Sequence, residues 1–387
     1  MTSQGTALRF GYGTNGLADL RLDDALALLA DLGYDGVGLT LDHMHLDPLA
    51  PDLAARTGRV ARRLAALGLD VTVETGARYV LDPRRKHGPS LLDPDPEARA
   101  RRVDLLLRAV RVAADLGAHA VHCFSGIVPP DDDAATAWER LAAALTPVLE
   151  AADAAGVPLA VEPEPGHLLA TLADFHHLRG LLGDPPALGL TLDLGHCQCL
   201  EPLPPADCVR AAAPWLRHVQ IEDMRRGVHD HLPFGEGEMD FPPLLAALAA
   251  TGYQGLTVVE LPRHSHAGPH YAETSLPFLR RAAAAAAATA PAASASGASG
   301  ASGAGDPFTA APTAAAQVAA TPVSANPAVA APVTAAPVAT NPAVAAPAVA
   351  APAVAAPAVA ALVTAAPAAA NPVSAVPDTT VPEGSTP

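Results

Sequence analysis

Between Leu8 and Arg281 a short apolar run is followed by a longer helical pattern, and this alternation repeats eight times. The runs are LRFGYG at 8, VGLTLD at 37, DVTVET at 70, AHAVHCFSG at 118, PLAVEPEP at 158, LGLTLDLGH at 188, LRHVQIED at 216 and GLTVVEL at 255. Stretches such as LDDALALLADLG and RVDLLLRAVRVAADLG lie between them. Several end in Gly just ahead of the next run (Gly33, Gly68, Gly117, Gly156, Gly252). Gly there is the expected stop for a helix turning back toward a sheet. Eight strand–helix units in this length match one (β/α)8 TIM barrel, an α/β fold. A doubly wound open sheet is the competitor, but GYGTNGL after the first run lacks the G-x-G-x-x-G spacing of that architecture.

From Ala282 to Pro387 the composition changes to Ala, Pro, Val, Thr, Ser, Gly and Asn, with an APAVA step near 345–361. Recurrent proline removes amide donors and small side chains offer little to bury, so a disordered, low-complexity tail is expected over 282–387, after a barrel at 8–281. No partner for this tail is identified. Its three acids (Asp306, Asp378, Glu383) leave 37 acids against 24 bases in the body, a formal charge of −13. Lys86 is the only lysine. That balance disfavours nucleic acid and anionic membranes as partners and suits a small-molecule substrate. No apolar run of about 20 residues is available to span a bilayer. The four cysteines do not form a disulfide-scaffold pattern, and MTSQGTALRFGYG is not a secretory leader, so a cytoplasmic location is expected. Homo-oligomerisation is left open.

In a barrel all strand ends meet at one mouth. The third to eighth runs end in, or carry near their ends, Glu74, His122, Glu162, Asp193, Gln220 and Glu260, six consecutive metal-capable side chains. One such residue is ordinary, because Asp and Asn cap the following helix; six in succession is not. Side chains alternate along HVQI, so Gln220 shares a face with His218 and is aimed at the rim. Glu162, Asp193, Gln220 and Glu260 then make an all-oxygen set. Such donors prefer Mg2+ or Mn2+, with Co2+ or Zn2+ as weaker fits.

The pieces LAVEPEPG, LTLDLGHC, RHVQIEDM, HLPFGEGEMDF and LTVVEL resemble the xylose isomerase-like barrel superfamily, the sugar phosphate isomerases and epimerases. The resemblance spans roughly residues 8–281, and Gln at 220 is similar to the hydroxypyruvate isomerase branch. It implies a metal on Glu162, Asp193, Gln220 and Glu260, and places His196 and His231 near substrate or a further metal. It also makes Glu74 and His122 counterparts of zinc-binding positions in the endonuclease branch, here read as substrate contacts.

The reaction implied is isomerisation or epimerisation of a small sugar, ketose or hydroxy-oxoacid, with a proton removed beside a carbonyl and a metal-stabilised enediolate. Glu162 and Glu260 are the expected acid/base groups, with His196 as a third catalytic group and His231 orienting hydroxyls. Arg225 and Arg226, just beyond the seventh run, are candidates for a substrate carboxylate or phosphate. Metal-dependent hydrolysis with two or three ions, dehydration on the same barrel, and a non-catalytic scaffold are the alternatives. The FGEGE glycines are read as letting backbone approach substrate. Glu164 ranks behind Glu162.

Overall fold

The computed structural model describes residues 7–289. Eight parallel strands close into a barrel: β1 (Arg9–Gly13), β2 (Gly36–Thr40), β3 (Asp70–Glu74), β4 (Val121–Phe124), β5 (Leu159–Glu162), β6 (Leu188–Asp193), β7 (Leu216–Ile221) and β10 (Leu256–Val259), with β10 returning to pair β1. The wrapping helices are α1 (Leu22–Leu32), α2 (Leu53–Leu67), α3 (Pro96–Leu116), α4 (Ala134–Ala155), α5 (Leu172–Leu182), α6 (Leu194–Leu200), α7 (Pro205–Ala212), α8 (Phe241–Ala250) and α9 (Gly268–Thr289). The glycine stops behave as expected. Gly33, Gly68, Gly117 and Gly156 cap α1 to α4 in the left-handed conformation, where a Cβ would be strained.

Strand alternation separates two cores. Val71, Val73, Val219 and Ile221 belong to the apolar layer packed against the helices. The intervening residues enter the barrel: His218 of β7 reaches Glu74 of β3, with Nε2 to Oε1 at 3.1 Å, and Thr40 Oγ1 donates to Glu74 Oε2 at 3.3 Å. Interior space is limited, and glycine supplies it. A Cβ on Gly38 would lie 2.5 Å from Glu74 Oε1.

The segment after β7 forms an antiparallel hairpin, β8 (Asp223–Arg225) with β9 (Val228–Leu232), turning at Gly227 with φ 73°. Residues 282–289 continue α9 rather than starting a tail, and Ala282 and Ala286 are buried against the core. The remainder of the segment expected to be disordered lies outside the described residues. No helix among the described residues is long and apolar enough to cross a membrane.

Candidate active site and metal centre

Parallel pairing sets the site residues side by side. Glu74 pairs His122, Phe124 pairs Glu162, and Asp193 pairs Gln220. Asp193 serves two purposes with two oxygens. Its Oδ1 accepts from His196 N at 2.8 Å and caps α6, while Oδ2 is buried without a hydrogen bond. Glu260 follows the last strand, and Asn15 Nδ2 from the turn after β1 donates to its Oε1 at 2.9 Å. His122 Nε2 lies 2.5 Å from Glu162 Oε2, and Thr75 N approaches His122 Nδ1 at 3.4 Å, which favours the tautomer that donates to the carboxylate.

Glu162, Asp193 and His196 present ligand atoms within 4.8 Å of one another; so do Asp193, Glu222, His231 and Glu260. Asp193 belongs to both sets, so they form one continuous cluster. Glu162 Oε1, Asp193 Oδ2, Gln220 Oε1 and both oxygens of Glu222 are buried with no hydrogen-bond donor. Acceptor atoms withdrawn from water are costly unless protons or a cation satisfy them. This donor set fits a divalent ion. His231 offers a nitrogen beside these oxygens.

The field of the cluster is uneven. Burial works against the charge on Glu162, but His122 and His196 outweigh it and hold the carboxyl well below its ordinary range. Burial raises Glu260 well above that range, and Glu162, Glu74 and Asp193 push it further. Glu222 is likewise raised by burial and by Asp193 and Glu260. Glu164 is pushed up to about 7, by burial first and then by Glu162 and Asp193, with His196 opposing.

A second convergence lies on the hairpin. Residues two apart on β9 face the same way, so His229 and His231 meet His196 together. Their Nε2 atoms stand at 3.0 Å (His196 to His229) and 3.2 Å (His229 to His231). His196 Nδ1 is 3.1 Å from the Pro163 carbonyl, which fixes its other nitrogen toward the group. Burial lowers His229 to about 3 and His231 to about 4, with His196 adding to both shifts, so both are neutral near pH 7 and expose lone pairs. Three imidazole nitrogens that close suit a soft or borderline cation better than a hydrogen-bond chain.

Of the expected residues, Glu162, Asp193, Glu260, His196 and His231 come together, with His122 attached through Glu162. Gln220 is buried beside Asp193 with its amide oxygen unpaired. Both oxygens of Glu74 are engaged inside the barrel, by His218 and Thr40. Arg225 and Arg226 are not brought to the cluster either: their guanidiniums donate to the Glu236 carbonyl at 2.6 Å and the Glu201 carbonyl at 2.5 Å, pinning the hairpin. The FGEGE glycines have a structural use. A Cβ on Gly237 would lie 2.2 Å from Asp223 Oδ1, and Asp223 accepts from Gly235 N and Met239 N to close the loop.

Glu222 and Asn15 also stand in the site, beyond the residues expected from the sequence. Glu222 had a readable signal, because it lies two residues beyond Gln220 and so on the same face. Asn15 had none, since only tertiary folding brings the first turn to Glu260. Gly195 confirms how tightly Glu222 is held. A Cβ there would lie 1.9 Å from Glu222 Oε1, a group with no exposure to escape into. Gly195→Ala is expected to cost about 1–3 kcal/mol of stability and to weaken metal binding. Urea denaturation and a metal titration on the same protein check this; unchanged values in both would mean Glu222 relocates freely.

A closed barrel with a buried, carboxylate-rich metal-capable centre at its strand ends defines a class of small-molecule enzyme. The model of the xylose isomerase-like TIM barrel family matches residues 26–282, and the chain belongs to that family. It is similar to the L-ribulose 3-epimerase of Mesorhizobium japonicum, 30% identical over 246 residues that cover 61% of this chain and 74% of the relative. It is 25% identical to the L-ribulose-5-phosphate 3-epimerase UlaE of Shigella flexneri, over 62% of this chain and 81% of that protein. A solved L-ribulose 3-epimerase superposes with a TM-score of 0.60 at 25% identity, over 73% of this chain and 96% of that one. The chain is an enzyme of the isomerase and epimerase kind.

Proposed function

We propose that the chain is a divalent-metal-dependent ketose epimerase that moves a proton at the carbon beside a carbonyl. The observation that carries this reading is the pair Glu162, at the end of β5, and Glu260, just after β10, flanking a buried cluster of unpartnered acceptor oxygens. Glu162, Asp193 and Glu260 would hold the ion, with Gln220 or Glu222 as the fourth oxygen ligand and His231 beside them. A divalent ion, Mg2+ or Mn2+, supplies Lewis-acid polarisation of the carbonyl and charge to balance an enediolate.

The chain's own residues do the rest. One glutamate takes the proton from carbon and the other returns it on the opposite face, which inverts the centre. His122 orients Glu162 through the 2.5 Å contact, and Asn15 orients Glu260 through the 2.9 Å one. His196 is fixed by the Pro163 carbonyl and can hold a substrate hydroxyl. The small interior and the apolar shell limit water around the reacting carbon.

The converging His196, His229 and His231 favour one second reading, hydrolysis with additional metal ions. One experiment separates the two. Metal-replete protein is incubated in deuterated solvent with a panel of ketoses, and carbon-bound deuterium is read by NMR beside elemental metal analysis. Deuterium is expected beside the carbonyl of at least one ketose. No exchange in any ketose, together with two or more ions per chain and cleavage of a phosphodiester, would replace epimerisation with hydrolysis.

A further inference from the structure

The barrel interior holds a polar pair that the chemistry above does not use. Glu74 on β3 and His218 on β7 come from opposite sides of the closed sheet, with three strands between them either way round. Their side chains meet in the interior at 3.1 Å, both fully buried. A carboxylate only accepts, so His218 donates from Nε2, and its Nδ1 is left buried without a partner. Thr40 donates to the other oxygen of Glu74, and Gly38 leaves the space that the carboxylate fills.

Stability does not explain this pair. Interiors of such barrels are filled mainly by branched apolar side chains. A buried acid and imidazole give up hydration that one shared hydrogen bond recovers only in part, and apolar replacements of like volume are often neutral or stabilising.

The surroundings of the pair point to another use. The His122 ring packs edge-on against the His218 ring, with centroids 6.3 Å apart. Glu74 lies beside His122 in the strand register, and the next residue, Thr75, holds His122 twice. Thr75 N donates to Nδ1 at 3.4 Å, and Thr75 Oγ1 donates to the His122 carbonyl at 2.9 Å. His122 Nε2 in turn meets Glu162 Oε2 at 2.5 Å. One path of contacts thus crosses the barrel, from His218 through Glu74, Thr75 and His122 to Glu162.

We propose that Glu74 and His218 are positioning residues, whose bond across the barrel fixes the His122 ring and through it the carboxylate of Glu162 that exchanges the proton. This rests on the epimerase reading above. The pair acts through His122 rather than on substrate. The test uses the full chain loaded with Mn2+ and the fastest-exchanging ketose of the panel above. Deuterium exchange kinetics, metal content and melting temperature are measured for Glu74→Gln, for His122→Gln, for the two combined, and for the apolar pair Glu74→Met with His218→Leu.

Glu74→Gln is expected to lower kcat about tenfold, the worth of one hydrogen bond, with KM and metal content kept. Added to His122→Gln it is expected to cost nothing further, because both changes act on one path. The apolar pair is expected to melt at or above the parent and to lose at least as much kcat. An unchanged kcat in Glu74→Gln, or losses that multiply in the combined variant, overturns the proposal while the epimerase reading stands. So does an apolar pair that melts lower yet exchanges like the parent, which would make Glu74 and His218 structural. If no ketose exchanges, the epimerase reading falls, and NMR of the histidine-labelled chain, with Mg2+ replacing paramagnetic Mn2+, judges the path alone. Loss of the exchange-protected His122 Nε2–H signal in Glu74→Gln supports it, and an unmoved signal overturns it.

Discussion

Stripping the purified chain of divalent metal will lower its melting temperature, and returning Mn2+ will raise it by roughly 8 °C. The figure follows from about 4 kcal/mol of linkage at metal a thousandfold above Kd, at about 2 °C per kcal/mol for a domain of this size. The physical cause is the set of buried acceptors on Glu162, Asp193, Gln220 and Glu222, which no protein donor satisfies. Without a cation these carboxylates either repel or take up protons. Glu222→Gln separates the two contributions. Removing one charge relieves the repulsion, so the stripped variant is expected to melt above the stripped parent while gaining less from Mn2+. Differential scanning fluorimetry with and without chelator reads both. Identical curves for stripped and loaded protein would end the metal assignment.

The largest loss of activity is expected from Glu260→Gln. The amide is isosteric and its Oε1 can still accept from Asn15, so circular dichroism should match the parent. What disappears is a basic oxygen and a negative charge in the cluster. Turnover is expected to fall by about 10²–10⁴, the usual contribution of a positioned proton-transfer group, and metal content should fall with it. Glu162→Gln is expected to behave alike, with the added loss of the carboxylate to which His122 Nε2 donates. Retention of both turnover and metal in Glu260→Gln would remove this glutamate from the mechanism.

Much of this architecture is written in local signals. Helix stops at Gly33, Gly68, Gly117 and Gly156 depend on a backbone conformation that one residue type tolerates, and so they are legible one residue at a time. Strand ends are legible for a similar reason. Once the eight runs are recognised, Glu162, Asp193 and Glu260 must converge, because parallel strands in a closed barrel have a common mouth. Gln220 and Glu222 follow from the two-residue period.

Other features needed the folded chain. Arg225 and Arg226 sit where a substrate clamp would be useful, yet the hairpin folds back and backbone carbonyls of Glu236 and Glu201 claim them. Glu74 stands at a strand end, and its partner there, His218, comes from the opposite side of the barrel. Asn15 reaches Glu260 from 245 residues away, and Arg78 reaches the Pro262 carbonyl from 184 residues away. The sequence by itself therefore determined the periodicity, the barrel and the residues at the strand ends, since those depend on backbone geometry and spacing along the chain. Tertiary structure alone decided which side chains are paired with each other and which are left for a ligand. Hydrogen bonds and charges act through space, and sequence separation does not record distance.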